Sequence, residues 1–264
     1  MANPAASESM PEVTVVIPTY REKDNLAILL PRLFGILHKH ALTGEVIVVD
    51  DDSRDGTEQL CDRLAIGSPL RLLTRRNERG LATAVVHGLR QAQGEICVVM
   101  DADLSHPPEF VPALVEAARS PACDMAIGSR YTRGSSIDPN WSWFRRLNSR
   151  VALLLARGLT PSSDPMSGFF AIAKSTFARA RELRPIGYKI GLELIVRCEC
   201  RAIVEIPITF EDRANGESKL SARQQLLYLQ HLARLYSVRY LAAPLTRRTH
   251  SKPPTILPND RRAA

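Results

Sequence analysis

Asp101 and Asp103 stand one residue apart at the end of an apolar run, residues 96–100. In extended backbone, residues i and i+2 point to the same side, so the two carboxylates face one small volume. Like charges that close resist joint ionisation. A hard divalent cation such as Mg²⁺ or Mn²⁺ removes the penalty and usually shares its shell with substrate phosphates. Taken alone, the pair also reads as a solvated turn, with an Asp capping the next helix and Pro107-Pro108 ending the strand. A second acidic cluster, Asp50, Asp51, Asp52 and Asp55, closes another apolar run. Asp55-Gly56 is a turn signal, and Ser53 or Asp55 suits the cap of the following helix. Three successive acids still require compensation, which hydrogen bonds to a nucleotide base or ribose would supply. The absence of GxGxxG and of GxxxxGK(S/T) argues against a dinucleotide oxidoreductase or a P-loop ATPase.

The elements that must position these acids are legible in the first hundred residues. VTVVIP (13–18), EVIVVD (45–50), LRLLTR (70–75) and EICVVMD (95–101) are strand-like runs rich in Val and Ile. Helical patterns separate them. One carries Leu26, Leu29, Leu30, Leu33 and Leu37, with Asp24 as its expected cap and Pro31 interrupting it; another passes through Leu60 and Leu64, and a third covers 81–91. Such alternation indicates βαβ units and a mostly parallel sheet. Right-handed crossovers bring the strand C-termini to one edge, where open α/β sheets bind ligands. Beyond Asp103 the pattern predicts a helix over 108–118, a strand over 124–129 and a helix over 145–159. Helical GLELIVRCE, strand-like AIVEIPITF and a long helix over roughly 220–243 follow.

Charge and cysteine content narrow the class further. The 264 residues carry 35 Lys+Arg against 28 Asp+Glu, a net of +7. Residues 1–212 are nearly neutral at −1, and residues 213–264 hold +8. No apolar run approaches the roughly 18 residues of a membrane span, and MANPAASESMPE lacks the features of a secretory signal. Five cysteines without CxxC spacing fit a reduced, cytosolic chain; Cys97 reads as buried packing, with a metal site at Cys198 and Cys200 as a minor alternative.

Seven motifs then run in order: PTYREKDN (18–25), VVDDDSRDGT (48–57), RGLATAVVHG (79–88), DADLSHPPE (101–109), GSRY (128–131), SGFFA (167–171) and FEDRANGESKL (210–220). Together they resemble family 2 inverting glycosyltransferases, and more closely polyprenyl-phosphate sugar synthases of the dolichol-phosphate mannose synthase type. The resemblance implies a GT-A fold, α/β with a mostly parallel central sheet flanked by helices. The chain is expected to divide into a catalytic domain over 12–217, a C-terminal amphipathic helix over 218–243, and disordered segments at 1–11 and 244–264, the last marked by Pro244, Pro253, Pro254 and Pro258. The resemblance also implies that Pro18, Tyr20, Glu22, Asp51 and Arg79 bind the nucleotide sugar, and that Asp101, Asp103 and Ser105 lie at a Mg²⁺ or Mn²⁺ ion and the diphosphate. Arg130, Arg145, Ser149, Arg213 and Lys219 would surround the donor and acceptor phosphates, a task suited to guanidinium forks. Two positions depart from the family pattern: Ser105 stands where Gln is usual, and Gly80-Leu81-Ala82 replaces GLG.

The implied reaction moves a hexose, mannose from GDP-mannose, to a polyprenyl monophosphate at the cytoplasmic membrane face. A phosphate monoester is already anionic near neutral pH, so no essential His base is expected, and His106 is expected to be a loop or supporting group. Leu226, Leu229, Leu232, Leu235, Tyr236 and Tyr240 lie mainly on one helical side. That face suits either packing on the domain or contact with an anionic membrane surface, reached directly or through a membrane-anchoring partner. The alternatives are a UDP-glucose-type donor, a non-lipid hydroxyl acceptor, and an inactive nucleotide-binding protein. No nucleic-acid motif accompanies the basic tail, so no nucleic-acid partner is expected.

Overall fold

The computed structural model describes residues 10–137, 143–210 and 222–241. Four parallel strands form half of its sheet: β1 (Val13–Thr19), β2 (Gly44–Asp50), β3 (Leu70–Thr74) and β4 (Ile96–Val99). Strands covered on both faces need apolar residues at every position, and β1 is buried throughout. Its alternate residues feed opposite layers. Val13, Val15 and Ile17 join Leu26, Leu29, Leu30 and Leu33 of α1 (Lys23–Lys39) and Leu114 of α4 (Val111–Arg119). Val16 joins Val85, Val86 and Leu89 of α3 (Leu81–Gln91) on the other face.

The sheet order is β3-β2-β1-β4-β7-β5-β8. The chain therefore builds outward from β1 in one direction, then returns to its other side with β4. That reversal opens a crevice at the carboxyl ends of β1 and β4, the usual ligand position in such sheets. Strand β5 (Met125–Ser129) pairs in parallel with β8 (Ile203–Pro207). The exception to the parallel pattern is β7 (Phe170–Ala173), which runs antiparallel to both β4 and β5. Because it is reversed, its first residue lies beside the last of β4, with Phe170 opposite Val99. The preceding residues Ser167-Gly168-Phe169 are thereby delivered to the edge that carries Asp101. A two-strand parallel ladder, β6 (Ser136–Ile137) with β9 (Thr209–Phe210), lies apart from the main sheet.

The remaining helices are α2 (Thr57–Ala65), α5 (Trp143–Ala156), α6 (Lys174–Phe177), α7 (Ile190–Arg197) and α8 (Ala222–Tyr236), the last continued by a π-helical turn, Ser237–Leu241. Helix α8 packs on the domain: Leu232 and Leu235 are buried with Ala156, Leu159, Leu192 and Val196. The single apolar side expected of it is divided, since Leu226 and Leu229 remain exposed. Its tyrosines knit it to α5 and the residues just beyond. Tyr228, Tyr236 and Tyr240 donate to the carbonyls of Ala152, Leu155 and Gly158 at 2.7, 2.8 and 2.6 Å.

Two local expectations are corrected. Asp24 does not cap α1. It lies in the first turn behind Glu22, and the Lys23 N–H is instead taken by Asp55 Oδ2 at 3.3 Å. Pro31 sits on the exposed side of α1 without ending it. All five cysteines are free and buried, and burial pushes the Cys61 and Cys97 thiols up to about 12. No cluster of three or more metal-ligating groups occurs among the described residues, Cys198 and Cys200 included. Of the disordered ends expected at 1–11 and 244–264, residues 1–9 and 244–264 lie outside the described residues.

At the opposite, amino-terminal edge, the Gly94 N–H donates to Thr14 Oγ1 at 2.8 Å. A Cβ on Gly94 would stand 2.5 Å from the Thr14 nitrogen and the Val13 carbonyl carbon, both backbone atoms. Gly94→Ala is expected to cost about 2 kcal/mol by overpacking, read as a lower urea midpoint with unchanged slope.

Candidate active site

On the β1–β2 side the acids are compensated from within the chain. Asp50 accepts the Ser53 N–H at 2.9 Å and the Ser53 hydroxyl, and Ser53 Oγ accepts the Arg21 N–H at 2.7 Å. Asp55 accepts the N–H and hydroxyl of Thr57 at 3.0 and 2.7 Å at the start of α2. Its role is structural, in keeping with the turn-and-cap reading of the cluster. Asp51 is held by Arg75: Oδ1 receives Nε at 2.7 Å and Nη2 at 2.5 Å, while Oδ2 takes the Gly80 N–H at 2.8 Å. Arg75 also donates to Thr83 Oγ1 and the Gly80 carbonyl. This buried pair fixes the loop in which Gly80 has φ +145°, a conformation suited to glycine.

That loop sets Arg79 over the Tyr20 ring, its guanidinium carbon 5.0 Å from the centroid, with Arg21 at 5.2 Å. Tyr20 and Arg79, both expected at the nucleotide, are thus together beside the Asp51 carboxylate. Pro18 is buried in β1. Glu22 holds the start of α1 and accepts the Asn25 side-chain amide at 2.6 Å. It lines a polar groove with Arg21, Lys23, Asp24, Asn25 and Asp55.

Beyond β4, the Asp101 N–H donates to His106 Nδ1 at 3.0 Å. His106 is buried, stacks on Phe169 at 5.1 Å, and is shifted by burial toward the neutral imidazole. An accepting Nδ1 and a buried ring make it a support for the Asp101 backbone. Asp103 is buried, and its Oδ1 receives both the N–H and the hydroxyl of Ser105, at 3.1 and 2.6 Å. Ser105 therefore orients Asp103 through its hydroxyl hydrogen. Gly168, delivered by β7, completes the wall: a Cβ there would lie 3.2 and 3.3 Å from the two Asp101 carboxylate oxygens. Two hard carboxylates and a wall without a side chain fit a Mg²⁺-like ion that completes its shell with water and phosphate.

Facing the acids is a cationic group. Arg130 forms a two-pronged pair with Asp164, Nε to Oδ2 and Nη2 to Oδ1 both at 2.8 Å, and the Arg130 N–H adds a third bond at 3.0 Å. Asp164 is fully buried, and the pairing holds Arg130 firmly protonated. Ser149 on α5 shares a 2.6 Å hydrogen bond with the Tyr131 hydroxyl, joining that helix to GSRY. Arg145 lies on the same helix; Arg213 and Lys219 lie outside the described residues. Sequence reasoning missed Lys189, which precedes α7. Burial pushes its ammonium down to about 7, Arg130 adds to that fall, and Asp164 and Asp101 oppose it. Its four-carbon stem follows Gly187-Tyr188 with no motif to mark it. It also missed Arg75 and Asp164, the partners of Asp51 and Arg130.

A crevice at the strand-order reversal, with a polar rim on one side and paired acids beside an arginine on the other, is consistent with a nucleotide-sugar transferase fold. The chain belongs to glycosyl transferase family 2, whose profile matches residues 14–177. It is 42% identical over 228 residues to a dolichol-phosphate mannosyltransferase of Pyrococcus furiosus, covering 85% of this chain and 63% of that one. The enzyme of the same name from Saccharomyces cerevisiae is 43% identical over 238 residues, with 87% and 88% covered. Two solved structures share the fold. Mannosyl-3-phosphoglycerate synthase from Rubrobacter xylanophilus superposes with a TM-score of 0.65 at 17% identity, covering 85% of this chain and 73% of that one. Glucosyl-3-phosphoglycerate synthase from Mycobacterium tuberculosis, solved with Mn²⁺, UDP and glucosyl-3-phosphoglycerate, gives 0.61 at 21%, covering 86% and 80%.

Two measurements test the site as built. Asp164→Asn leaves Arg130 without its buried counter-charge and is expected to cost about 3 kcal/mol of stability, measured by urea unfolding. Lys189 binds fewer protons folded than unfolded between pH 7 and its ordinary value, so stability rises with pH across that window. In metal-free protein, Lys189→Met is expected to remove that rise, read from unfolding midpoints at pH 7, 8 and 9.

Proposed function

We propose that this chain transfers mannose from GDP-mannose to the phosphate of a polyprenyl monophosphate, with inversion at the anomeric carbon. The observation that carries the reading is Arg130, locked by Asp164 and within electrostatic reach of Asp101, at the sheet edge where β1 and β2 deliver Tyr20 and Asp51. The names of the 40–43% identical relatives support the sugar and the acceptor.

Pro18, Tyr20, Glu22, Asp51 and Arg79 bind the nucleotide in this scheme. Asp51 and Arg75 keep the Arg79-Gly80 loop in place beside it. A divalent cation held by Asp101 and Asp103 would stabilise charge on the departing diphosphate. Ser105 fixes the Asp103 carboxylate for that task. Arg130, with Arg145, Arg213 and Lys219, neutralises and aligns the acceptor phosphate, whose own anionic oxygen attacks directly. Ser149 and Tyr131 tie α5 to that group. No side chain needs to remove a proton, which agrees with His106 being buried and occupied by the Asp101 N–H.

A lipid acceptor requires contact with a membrane surface. Among the described residues no helix is long and apolar enough to cross a membrane. Leu154 on α5 is 62% exposed, and Leu226 and Leu229 on α8 are 58% and 51% exposed. The sequence of these two helices contains arginines and no Asp or Glu, a composition suited to peripheral attachment at the inner, anionic face, alone or beside an anchoring partner.

Transfer of label from GDP-mannose into the lipid phase with a short polyprenyl phosphate tests the reaction; a UDP-glucose arm distinguishes the donor. Asp103→Ala is expected to lower kcat by about 10²–10³-fold, the usual loss for a preorganised charge stabiliser. Near-normal turnover would reject the assignment. For the membrane contact, Leu226→Glu with Leu229→Glu is expected to abolish flotation with anionic vesicles while leaving the unfolding midpoint in place.

A further inference from the structure

Helix α8 is tied to the active site by groups that the proposed reaction does not use. Residues 184–189 lead into α7 and end at Lys189, two residues before the Gly191 that packs on Ser167, next to the Gly168 wall of Asp101. Asp101, Asp164 and Arg130 all act on the Lys189 charge. The path of this segment is set from α7 and α8. Glu193 of α7, 1% exposed, accepts the Arg184 N–H on Oε1 at 3.1 Å. Its Oε2 accepts the Nε2–H of His231 on α8 at 2.7 Å, and His231 is equally buried. Arg234, one turn further along α8, donates to the Arg184 carbonyl at 3.2 Å. At Gly187 a Cβ would meet Gln224 of α8 at 3.8 Å. The N–H and C=O of Arg184 are thus both engaged, and the glycine before Tyr188 lies against the same helix.

The far side of α7 abuts the loop that carries Asp164. A Cβ on Gly191 would lie 3.1 Å from the Ser167 carbonyl oxygen and 3.5 Å from that of Pro165. Helix α7 is therefore clamped between α8 and the wall of the phosphate site. Docking alone does not call for a buried carboxylate and imidazole, since Leu232 and Leu235 already dock α8. A buried polar pair is weak as a source of stability and stronger as a device that selects one arrangement.

We propose that His231 and Glu193 are positioning residues, through which α8 fixes residues 184–189 and holds the Lys189 ammonium at the phosphate-binding edge. The inference deepens the transferase reading, resting on it for the identity of that edge. It makes Lys189 the element through which α8 acts on bound phosphate without touching it.

A double-mutant cycle tests the coupling, with GDP and Mn²⁺ as the probe, calorimetry for affinity and thermal unfolding for stability. His231→Leu and Lys189→Met are each expected to weaken GDP binding about tenfold, or about 1.4 kcal/mol. The double variant should lose no more than the weaker single variant, and His231→Gln, which still donates to Glu193, should stay close to wild type. Losses that multiply, or a folded His231→Leu protein with wild-type affinity, overturn the proposal. Should His231→Leu fail to fold, Arg234→Ala replaces it in the same cycle, and the same two results overturn the coupling. A wild-type protein that binds no GDP is taken through the same cycle with UDP, and one that binds neither nucleotide rejects the transferase reading instead. The coupling is then judged without ligand: His231→Leu must shift the Lys189-dependent rise of stability with pH, and an unshifted rise overturns it.

Discussion

Negative charge gathered at one edge of an apolar sheet has to be compensated, and most of the architecture follows from how that is done. Strands β1 and β4 hold no carboxylate along their length, and the acids of this edge cluster where the strands end. Each then acquires a specific counter-group. Ser53 serves Asp50, Arg75 and the Gly80 N–H serve Asp51, Ser105 serves Asp103, and Arg130 serves Asp164. Buried polar groups left without such partners would cost several kcal/mol. The loops between strands and helices are shaped by these bonds, and the crevice is what remains between them.

The compensation is uneven in a way that matches two kinds of task. Around Asp51 it is a closed circuit of guanidinium, carboxylate and backbone, which makes a stiff rim for a flat, polar ligand. At Asp103 the Ser105 hydroxyl and N–H orient one carboxylate oxygen, and Gly168 places a wall without a side chain against the Asp101 carboxylate. On the third side Arg130 is pre-oriented by Asp164, so that its planar fork loses little freedom when an anion arrives.

Much of this was legible in the chain. Continuous Val- and Ile-rich runs and 3.6-residue patterns identified the four parallel strands and most helices, and strand-end acids marked the edge. What escaped were relations between distant residues. Asp164 lies 34 residues from Arg130, and Arg75 lies 24 from Asp51, so no local pattern links either pair. The reversed direction of β7 was equally hidden, because an apolar tetrapeptide reads the same in either orientation; only the sheet order shows that Gly168 reaches Asp101. Asp24 looked like a cap because its type and position were right, but Asp55 from another loop had already met the need. Lys189 was invisible for a simpler reason: a single lysine on a loop normally points to water, and only the folded chain half-buries it, with its ammonium 4.4 Å from the Tyr188 ring centroid.

The three tyrosine bonds between α8 and the α5 region have a mechanical meaning. They recur at Ala152, Leu155 and Gly158, all in the same sense along both segments. A slip of one residue would break every one of them. The two helices are therefore held in one register, with Ser149 of α5 bonded to the Tyr131 hydroxyl next to Arg130 and with Leu226 and Leu229 exposed on α8.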